Sequence, residues 1–133
     1  MPSNTVLVVE DDAMIRENLQ DVLEDDGYAV FTAQDGREAL DLIPTLPRAT
    51  VILLDFRMPR LDGEGVLRDL AEHPNKRDAH PIFLLTANVH QLSPEMVHLL
   101  GSQGVPVLPK PFDIERLRQH VRSAFERIER DSA

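Results

Sequence analysis

Most of the residues that could do chemistry in this sequence are polar groups that directly follow a short apolar run. They are Glu10, Asp11, Asp12, Asp55, Thr86 and Lys110. If the ends of these runs meet in the folded chain, a close pair of carboxylates repels by roughly 4 kcal/mol at about 4 Å and an effective dielectric of about 20. A cation must then offset that repulsion.

The oxygen-rich set favours a hard metal ion. No His or Cys accompanies the carboxylates, and ligands of this kind select Mg²⁺, with Mn²⁺ as the alternative. Because Mg²⁺ readily shares its ligand shell with a phosphate, phosphoryl chemistry is a natural use of such a site. Asp55 is then the candidate nucleophile, with the metal, Lys110 and Thr86 available to stabilise charge on the transferring group.

Each acid also has a purely structural interpretation. An acidic residue after a buried strand often caps the following helix, and Asp12 in particular could do no more than cap the first one. Any single residue of the set therefore says little about function. The joint pattern at four strand ends is much harder to obtain by chance.

The elements that must position these residues alternate between two kinds of pattern. Short apolar runs predict strands at residues 5–9, 28–32, 50–55, 82–86 and 105–108. Apolar residues at helical spacing predict a helix after each strand. The first helix should end at Gly27, the fourth should run from a Ser93 cap to about Gly101, and the last should begin after Asp113.

Five β-α units in strict alternation predict an α/β fold: a parallel sheet between two helix layers, with right-handed crossovers. Pro106 and Pro109 cannot donate to a strand ladder, so the fifth strand should lie at an edge. In such sheets chemistry collects beyond the carboxyl ends of the strands. The polar residues named above fall at that edge.

Length and composition restrict the function further. With 133 residues, the chain should form one domain over 1–133, with a core from about 5 to 128 and no room for an effector domain. The absence of cysteine, export signal and long apolar stretch predicts a soluble, cytoplasmic protein. A net charge of −9 argues against direct binding of nucleic acid.

The histidines do not form a recognisable metal motif. They are His73, His80, His90, His98 and His120. No pair combines i,i+4 spacing with a nearby third ligand. We therefore expect all of them to be surface or partly buried residues.

Four short segments in order resemble one known family, the response-regulator receiver domains, over nearly the whole chain. The segments are VLVVEDD at 6–12, LLDFRMP at 53–59 with Asp62-Gly63 following, LTA at 85–87 and LPKPF at 108–112. The resemblance implies a flavodoxin-like (βα)5 sandwich with strand order 2-1-3-4-5, the order found in flavodoxin and in a chemotaxis member of this family.

The resemblance also implies roles for the strand-end residues. Asp55 would receive a phosphoryl group from a sensor histidine kinase or a histidine phosphotransfer protein and report it to a downstream effector protein or domain. Mg²⁺ would be bound directly by Asp11, largely through water by Glu10, and also by Asp55 and the backbone carbonyl of Arg57. Thr86 and Lys110 would contact the phosphoryl oxygens.

Further positions would tune or switch the domain by the same resemblance. Ala87 belongs to the matched LTA segment, and Arg57 and Asn88 occupy variable places that often tune phosphate loss. The Lys110–Pro111 bond would be cis. Val107 stands where many members carry Tyr or Phe, so an aromatic switch at this place is not expected.

Other functions fit the sequence less well. A haloacid-dehalogenase-like phosphatase needs a second acid two residues after its Asp nucleophile, where this chain has Arg57. A nucleotide-binding protein needs a glycine-rich loop after the first strand, where acidic residues stand instead. The remaining alternative is a receiver-like protein-binding module that is not phosphorylated.

Overall fold

The computed structural model describes residues 4–47, 50–73 and 80–132. The strands are β1 (Thr5–Val9), β2 (Ala29–Ala33), β3 (Val51–Asp55), β4 (Ile82–Thr86) and β5 (Val107–Pro109). The helices are α1 (Ala13–Asp25), α2 (Gly36–Leu42), α3 (Gly63–Glu72), α4 (Pro94–Gln103) and α5 (Ile114–Ser132), and 3₁₀ turns lie at Ile43–Thr45 and Val89–Gln91. Within these ranges, no helix combines the length and apolarity needed to cross a membrane.

The strands form a parallel sheet in the order β2-β1-β3-β4-β5, which confirms the expected fold class. The three inner strands β1, β3 and β4 are buried along their whole length. This burial explains why they read as unbroken apolar runs in the sequence. β5 lies at an edge, as its prolines predicted.

Helices cover both faces of the sheet and create two apolar cores. On one face, Leu7, Leu54 and Leu84 of the inner strands pack with buried residues of α2, α3 and α4. On the other face, Val8 and Leu53 pack with buried residues of α1 and α5. Alternate residues of each strand thus point to opposite helix layers, and the sheet lies between those layers.

Several element ends differ from the sequence-based expectation. β2 begins at Ala29 and β5 covers Val107–Pro109, because strand pairing, which the chain pattern does not encode, decides where a ladder starts. α4 runs past Gly101 to Gln103, and Gly104 takes the left-handed conformation (φ 66°) that ends it. Gly27 lies one residue beyond the cap of α1, which is Asp26.

One histidine also differs from the expectation. His80 is buried, and its Nδ1 accepts a hydrogen bond from the backbone N–H of Thr50 at 3.1 Å. The other four histidines are exposed, as expected. This hydrogen bond therefore connects the beginning of β3 to the segment before β4.

Candidate functional site

Three carboxylates meet at the carboxyl edge of the sheet. Glu10 follows β1 and Asp55 ends β3, and these strands are neighbours with Val9 paired to Leu54. One oxygen each from Glu10, Asp11 and Asp55 lies within 4.8 Å of the others, a grouping able to hold a metal ion. Glu10 and Asp55 are buried while Asp11 is exposed, so an ion there would face solvent on one side.

Asp12 does not join this group. Its Oδ1 accepts hydrogen bonds from the backbone N–H groups of Met14 and Ile15, at 2.9 and 3.1 Å, so Asp12 is the N-cap of α1. The structural interpretation considered for this residue is therefore correct. The turn is further fixed by Arg16, whose guanidinium donates to the carbonyl of Glu10 at 2.9 Å.

Lys110 supplies a positive charge to the same edge. Its Nζ lies 2.7 Å from Asp55 Oδ1 and 3.1 and 3.2 Å from the two carboxylate oxygens of Glu10. The backbone N–H of Lys110 donates to the carbonyl of Thr86 at 2.7 Å, which continues the β4–β5 ladder and fixes where the side chain starts. The Lys110–Pro111 bond is cis, as the resemblance implied.

Burial and crowding disturb the protonation of this cluster. Burial, followed by the charge of Asp55, raises the pKa of Glu10 to about 7. Burial also raises the pKa of Asp55, although Lys110 opposes the shift. Burial by itself lowers the pKa of Lys110, but its contacts with Asp55 and Glu10 outweigh that effect and raise it. One ammonium between two carboxylates leaves a net negative charge that a further cation would neutralise.

Thr86 and its neighbours form the next part of this edge. The Thr86 side chain is buried, and its hydroxyl accepts a hydrogen bond from the backbone N–H of Asn88 at 3.3 Å. Ala87 and Asn88 themselves are exposed. Val107 is half-buried and packs against the core beneath α3 and α4. Thr86 thus ends the strand next to the one that carries Asp55, and its hydroxyl is engaged by its own loop.

The loop after Asp55 is packed closely against the site. The backbone N–H of Gly63 donates to the carbonyl of Phe56 at 2.8 Å, and a Cβ at residue 63 would lie 2.9 Å from the carbonyl oxygen of Asp55. Only glycine allows this approach of α3 to the strand end. Asp62 caps α3 by accepting from the N–H of Gly65 at 2.9 Å.

A shallow cleft opens beside the carboxylates. Its lining residues are Asp11, Phe56, Arg57, Met58, Asp62 and Gln91. Arg57 donates a hydrogen bond from Nη2 to Oε1 of Gln91 at 2.9 Å, which joins the loop after β3 to the 3₁₀ turn after β4. Sequence reasoning did not find Gln91, because no motif or spacing marks it and its importance depends on two loops meeting.

The ligands at this edge fit the hard metal ion predicted from the sequence. Carboxylate oxygens converge without a nitrogen or sulfur ligand among the described residues of the group. The raised pKa values of Glu10 and Asp55 show that the protein environment opposes their charges in the absence of a metal. A divalent ion would remove that cost.

The chain is similar to known proteins in both sequence and structure. Residues 6–122 match the family described as the response regulator receiver domain. The response regulator MprA of Mycolicibacterium vanbaalenii is 43% identical over 126 residues, covering 95% of this chain and 52% of that protein. The chain thus spans about half the length of the curated relatives it matches.

Solved structures give the same result. The receiver domain of Francisella response regulator 1452 superposes with a TM-score of 0.79 and 33% identity, over 94% of this chain and 98% of that one. The receiver domain of sensor histidine kinase PA1611 from Pseudomonas aeruginosa PAO1, with a magnesium ion coordinated in its active site cleft, gives 0.77 and 29%, over 92% and 97%. The likeness extends over nearly the whole of all three chains.

Proposed function

The chain belongs to the response regulator receiver domain family of two-component systems, and we propose on that premise that Asp55 accepts a phosphoryl group with the help of Mg²⁺. One observation carries the proposal. Lys110 Nζ lies 2.7 Å from an oxygen of Asp55, within a group of three carboxylates that can hold a metal ion. Nucleophile, cation and metal ligands therefore share one edge of the sheet.

Asp11, Asp55 and Glu10 are the metal-binding side chains in this proposal, together with the backbone carbonyl of Arg57. Asp11 and Asp55 would hold the ion directly and Glu10 largely through water. The bound Mg²⁺ would draw negative charge from the transferring phosphoryl group. Mn²⁺ satisfies the same oxygen ligands.

The residues of this chain then divide the work of transfer. An oxygen of Asp55 attacks the phosphorus of a phosphohistidine, the phosphorus–nitrogen bond breaks, and the leaving imidazole takes a proton from solvent. The Lys110 ammonium stabilises a phosphoryl oxygen once Asp55 has become an acyl phosphate. The Thr86 hydroxyl gives up the hydrogen bond that it accepts from the Asn88 N–H. It donates a hydrogen bond to a phosphoryl oxygen instead.

The partners follow from the chemistry. The phosphoryl donor is a sensor histidine kinase or a histidine phosphotransfer protein, and the recipient of the signal is an effector protein or domain. Movement of Thr86 toward the phosphoryl group shifts the loop after β4 and helix α4, which that loop leads into. Because Val107 is small and stiff at χ1, the change travels through this loop and not through a turning ring.

The decisive test is incorporation of a phosphoryl group. We expect the wild-type protein, incubated with Mg²⁺ and acetyl phosphate, to gain the mass of one phosphoryl group, and Asp55→Asn to gain none. Asp41→Asn, which changes an exposed acid on α2, is the matched control and should behave as wild type. A folded wild-type protein that gains no phosphoryl group would instead be a receiver-like binding module.

Metal titration tests the second half of the proposal. Asp11→Asn should weaken Mg²⁺ binding by about tenfold or more, because it removes one of few hard ligands. Isothermal titration calorimetry with Mg²⁺ measures this directly. Unchanged affinity in both Asp11→Asn and Asp55→Asn would show that the metal binds elsewhere.

A further inference from the structure

The side chain of Arg16 ties the acidic turn after β1, residues 10–12, to the helix that follows it. The Arg16 guanidinium donates from Nη1 to the backbone carbonyl of Glu10 at 2.9 Å and, less closely, to that of Asp11 at 3.4 Å. In the opposite direction, Asp12 accepts from backbone N–H groups at the start of α1. The acidic turn and the beginning of α1 are therefore joined by side-chain hydrogen bonds in both directions.

The two carbonyls that Arg16 contacts lie on either side of the Asp11 Cα. Because a peptide bond is planar, holding the Glu10 carbonyl restrains the peptide unit before Asp11, and holding the Asp11 carbonyl restrains the unit after it. These two units set the direction in which the Asp11 side chain leaves the backbone. Arg16, which is half-buried on α1, thus acts on Asp11 through its backbone.

Asp11 needs this support more than the other two carboxylates that could hold a metal ion. Lys110 Nζ contacts both Glu10 and Asp55, which are buried. Asp11 is exposed, and in the described part of the chain its carboxylate is not among the contacts of Lys110. Ordering an exposed side chain costs part of the binding energy, and a backbone that is already held reduces that cost.

We propose that Arg16 is a positioning residue for the metal site: by holding the acidic turn, its guanidinium keeps the Asp11 carboxylate directed toward the oxygens of Glu10 and Asp55. This inference rests on the proposed function, because it takes these carboxylates as Mg²⁺ ligands, and it adds a residue outside the ligand set. A positive charge near a cation site by itself weakens cation binding, so its removal alone would tighten that binding. Loss of positioning has the opposite effect, and the direction of the change separates the two.

Isothermal titration calorimetry with Mg²⁺ on three variants tests the proposal. Arg16→Met removes the donor and the charge but keeps an unbranched stem, and it should weaken Mg²⁺ binding about tenfold, as loss of a supporting contact does in metal sites. Arg16→Lys keeps a donor for the nearer carbonyl and should bind within about threefold of wild type. The matched control is Arg127→Met, which removes an exposed arginine beside Ile82 at the amino end of β4 and should leave the affinity unchanged.

Amide hydrogen exchange of the metal-free proteins supplies a second measurement. The backbone N–H of Glu10 donates to the carbonyl of Ala33 at 3.0 Å, so its exchange rate reports how firmly the start of the acidic turn is held. This amide should exchange several-fold faster in Arg16→Met than in wild type. The amides of α5 should keep their wild-type protection, which shows that the variant is folded.

Four results would overturn the inference. They are unchanged or tighter Mg²⁺ binding in Arg16→Met, equal weakening in Arg16→Met and Arg16→Lys, equal weakening in Arg16→Met and Arg127→Met, and exchange of the Glu10 amide that is accelerated no more than that of α5. Each of them leaves Mg²⁺ binding by the wild-type protein, and hence the proposed function, intact. A wild-type protein that binds no Mg²⁺ would refute the metal-dependent part of the proposed function and this inference together.

Discussion

Two carboxylate–cation contacts in this domain have similar distances, yet the pKa of the acid is raised in one and lowered in the other. In the strand-end cluster of Glu10, Asp55 and Lys110, the ammonium lies 2.7 Å from Asp55, yet burial raises the pKa of that carboxyl. Between the end of α1 and α5, Arg118 donates to both oxygens of Asp26, at 2.8 and 2.5 Å, and this hydrogen bonding lowers the pKa of Asp26.

The difference between the two regions lies in burial and charge balance. The strand-end cluster is largely buried and holds two carboxylates for one ammonium. The α1–α5 seam is formed by Asp26, Arg118, Tyr28 and Phe125. Its ion pair is partly exposed, and the stacked rings of Tyr28 and Phe125 have centroids 5.1 Å apart. The seam therefore stabilises the fold, whereas the cluster costs stability that a functional site tolerates.

The largest effect is expected from the apolar part of the seam. Phe125→Ala should reduce the free energy of unfolding by about 3–4 kcal/mol, because Phe125 is buried in the core between the sheet, α1 and α5. Urea denaturation followed by circular dichroism measures this loss. Phe31→Ala, at a 43% exposed position on β2, is the control and should cost much less. Equal losses in the two variants would show that the seam does not stabilise the fold.

The next effect has the opposite sign and belongs to the cluster. Without metal, Asp55→Asn should raise the free energy of unfolding by about 1–2 kcal/mol at neutral pH, because it removes a buried charge that repels Glu10. Urea denaturation in the presence of a chelator measures the gain. Saturating Mg²⁺ should reduce or reverse it, since the metal binds the wild-type cluster more tightly. A metal-free loss of stability would mean that Lys110 already compensates both acids.

The pH dependence of stability separates Glu10 from the other acids. Its pKa is about 7 in the folded protein against an ordinary 4.5, so the folded state holds this proton more tightly than the unfolded chain. The favourable contribution of Glu10 to the free energy of unfolding is complete below about pH 4.5 and is lost as the pH rises through about 7. Between pH 4.5 and about 7, the free energy of unfolding of metal-free wild type should therefore fall by about 1–2 kcal/mol relative to that of Glu10→Gln. This is less than the full pKa shift corresponds to, because water screens part of the repulsion. Parallel pH profiles of the two proteins would contradict the raised pKa.

The smallest effect is expected from the partly exposed ion pair of the seam. Asp26→Asn should lower the midpoint of thermal unfolding by only a few degrees, because solvent screens the interaction with Arg118. The lowered pKa of Asp26 means that this contribution is present above its ordinary pKa and is lost on acidification. Differential scanning calorimetry at low and high salt should show a smaller difference at high salt. A salt-independent loss would indicate a packing role for Asp26.

The sequence was sufficient for the strands and for most of the strand-end residues. The run 82–86 matches β4 residue for residue, because a strand buried on both faces must be apolar throughout. Glu10, Asp11, Asp55 and Lys110 could be grouped because parallel strands end at one edge. The strand order could be predicted only from the resemblance to the family, since a run of valines and leucines does not indicate which strand lies beside it.

What the sequence could not supply depends on tertiary contacts. The protonation of Glu10 follows from its depth and from its distance to Asp55, and neither can be read from residue types. The contact of Arg57 with Gln91 needs two loops to meet across 34 residues of chain. The end of α4 at Gln103 was missed because two glycines were available, and only the one at 104 takes the left-handed conformation.

The separation of Glu10 and Lys110 along the chain has a consequence for biosynthesis. Their side chains touch although the two residues are 100 positions apart in the sequence, and contacts this distant in sequence are slow to form. Chains emerge from the ribosome amino end first. Glu10 and Asp55 are therefore made well before Lys110, which compensates their charges. β5, which carries Lys110 at its end, also closes the open edge of β4. A chain arrested before residue 107 therefore lacks both the counter-ion of the site and the last strand of the sheet, and should be recognised by chaperones as unfinished.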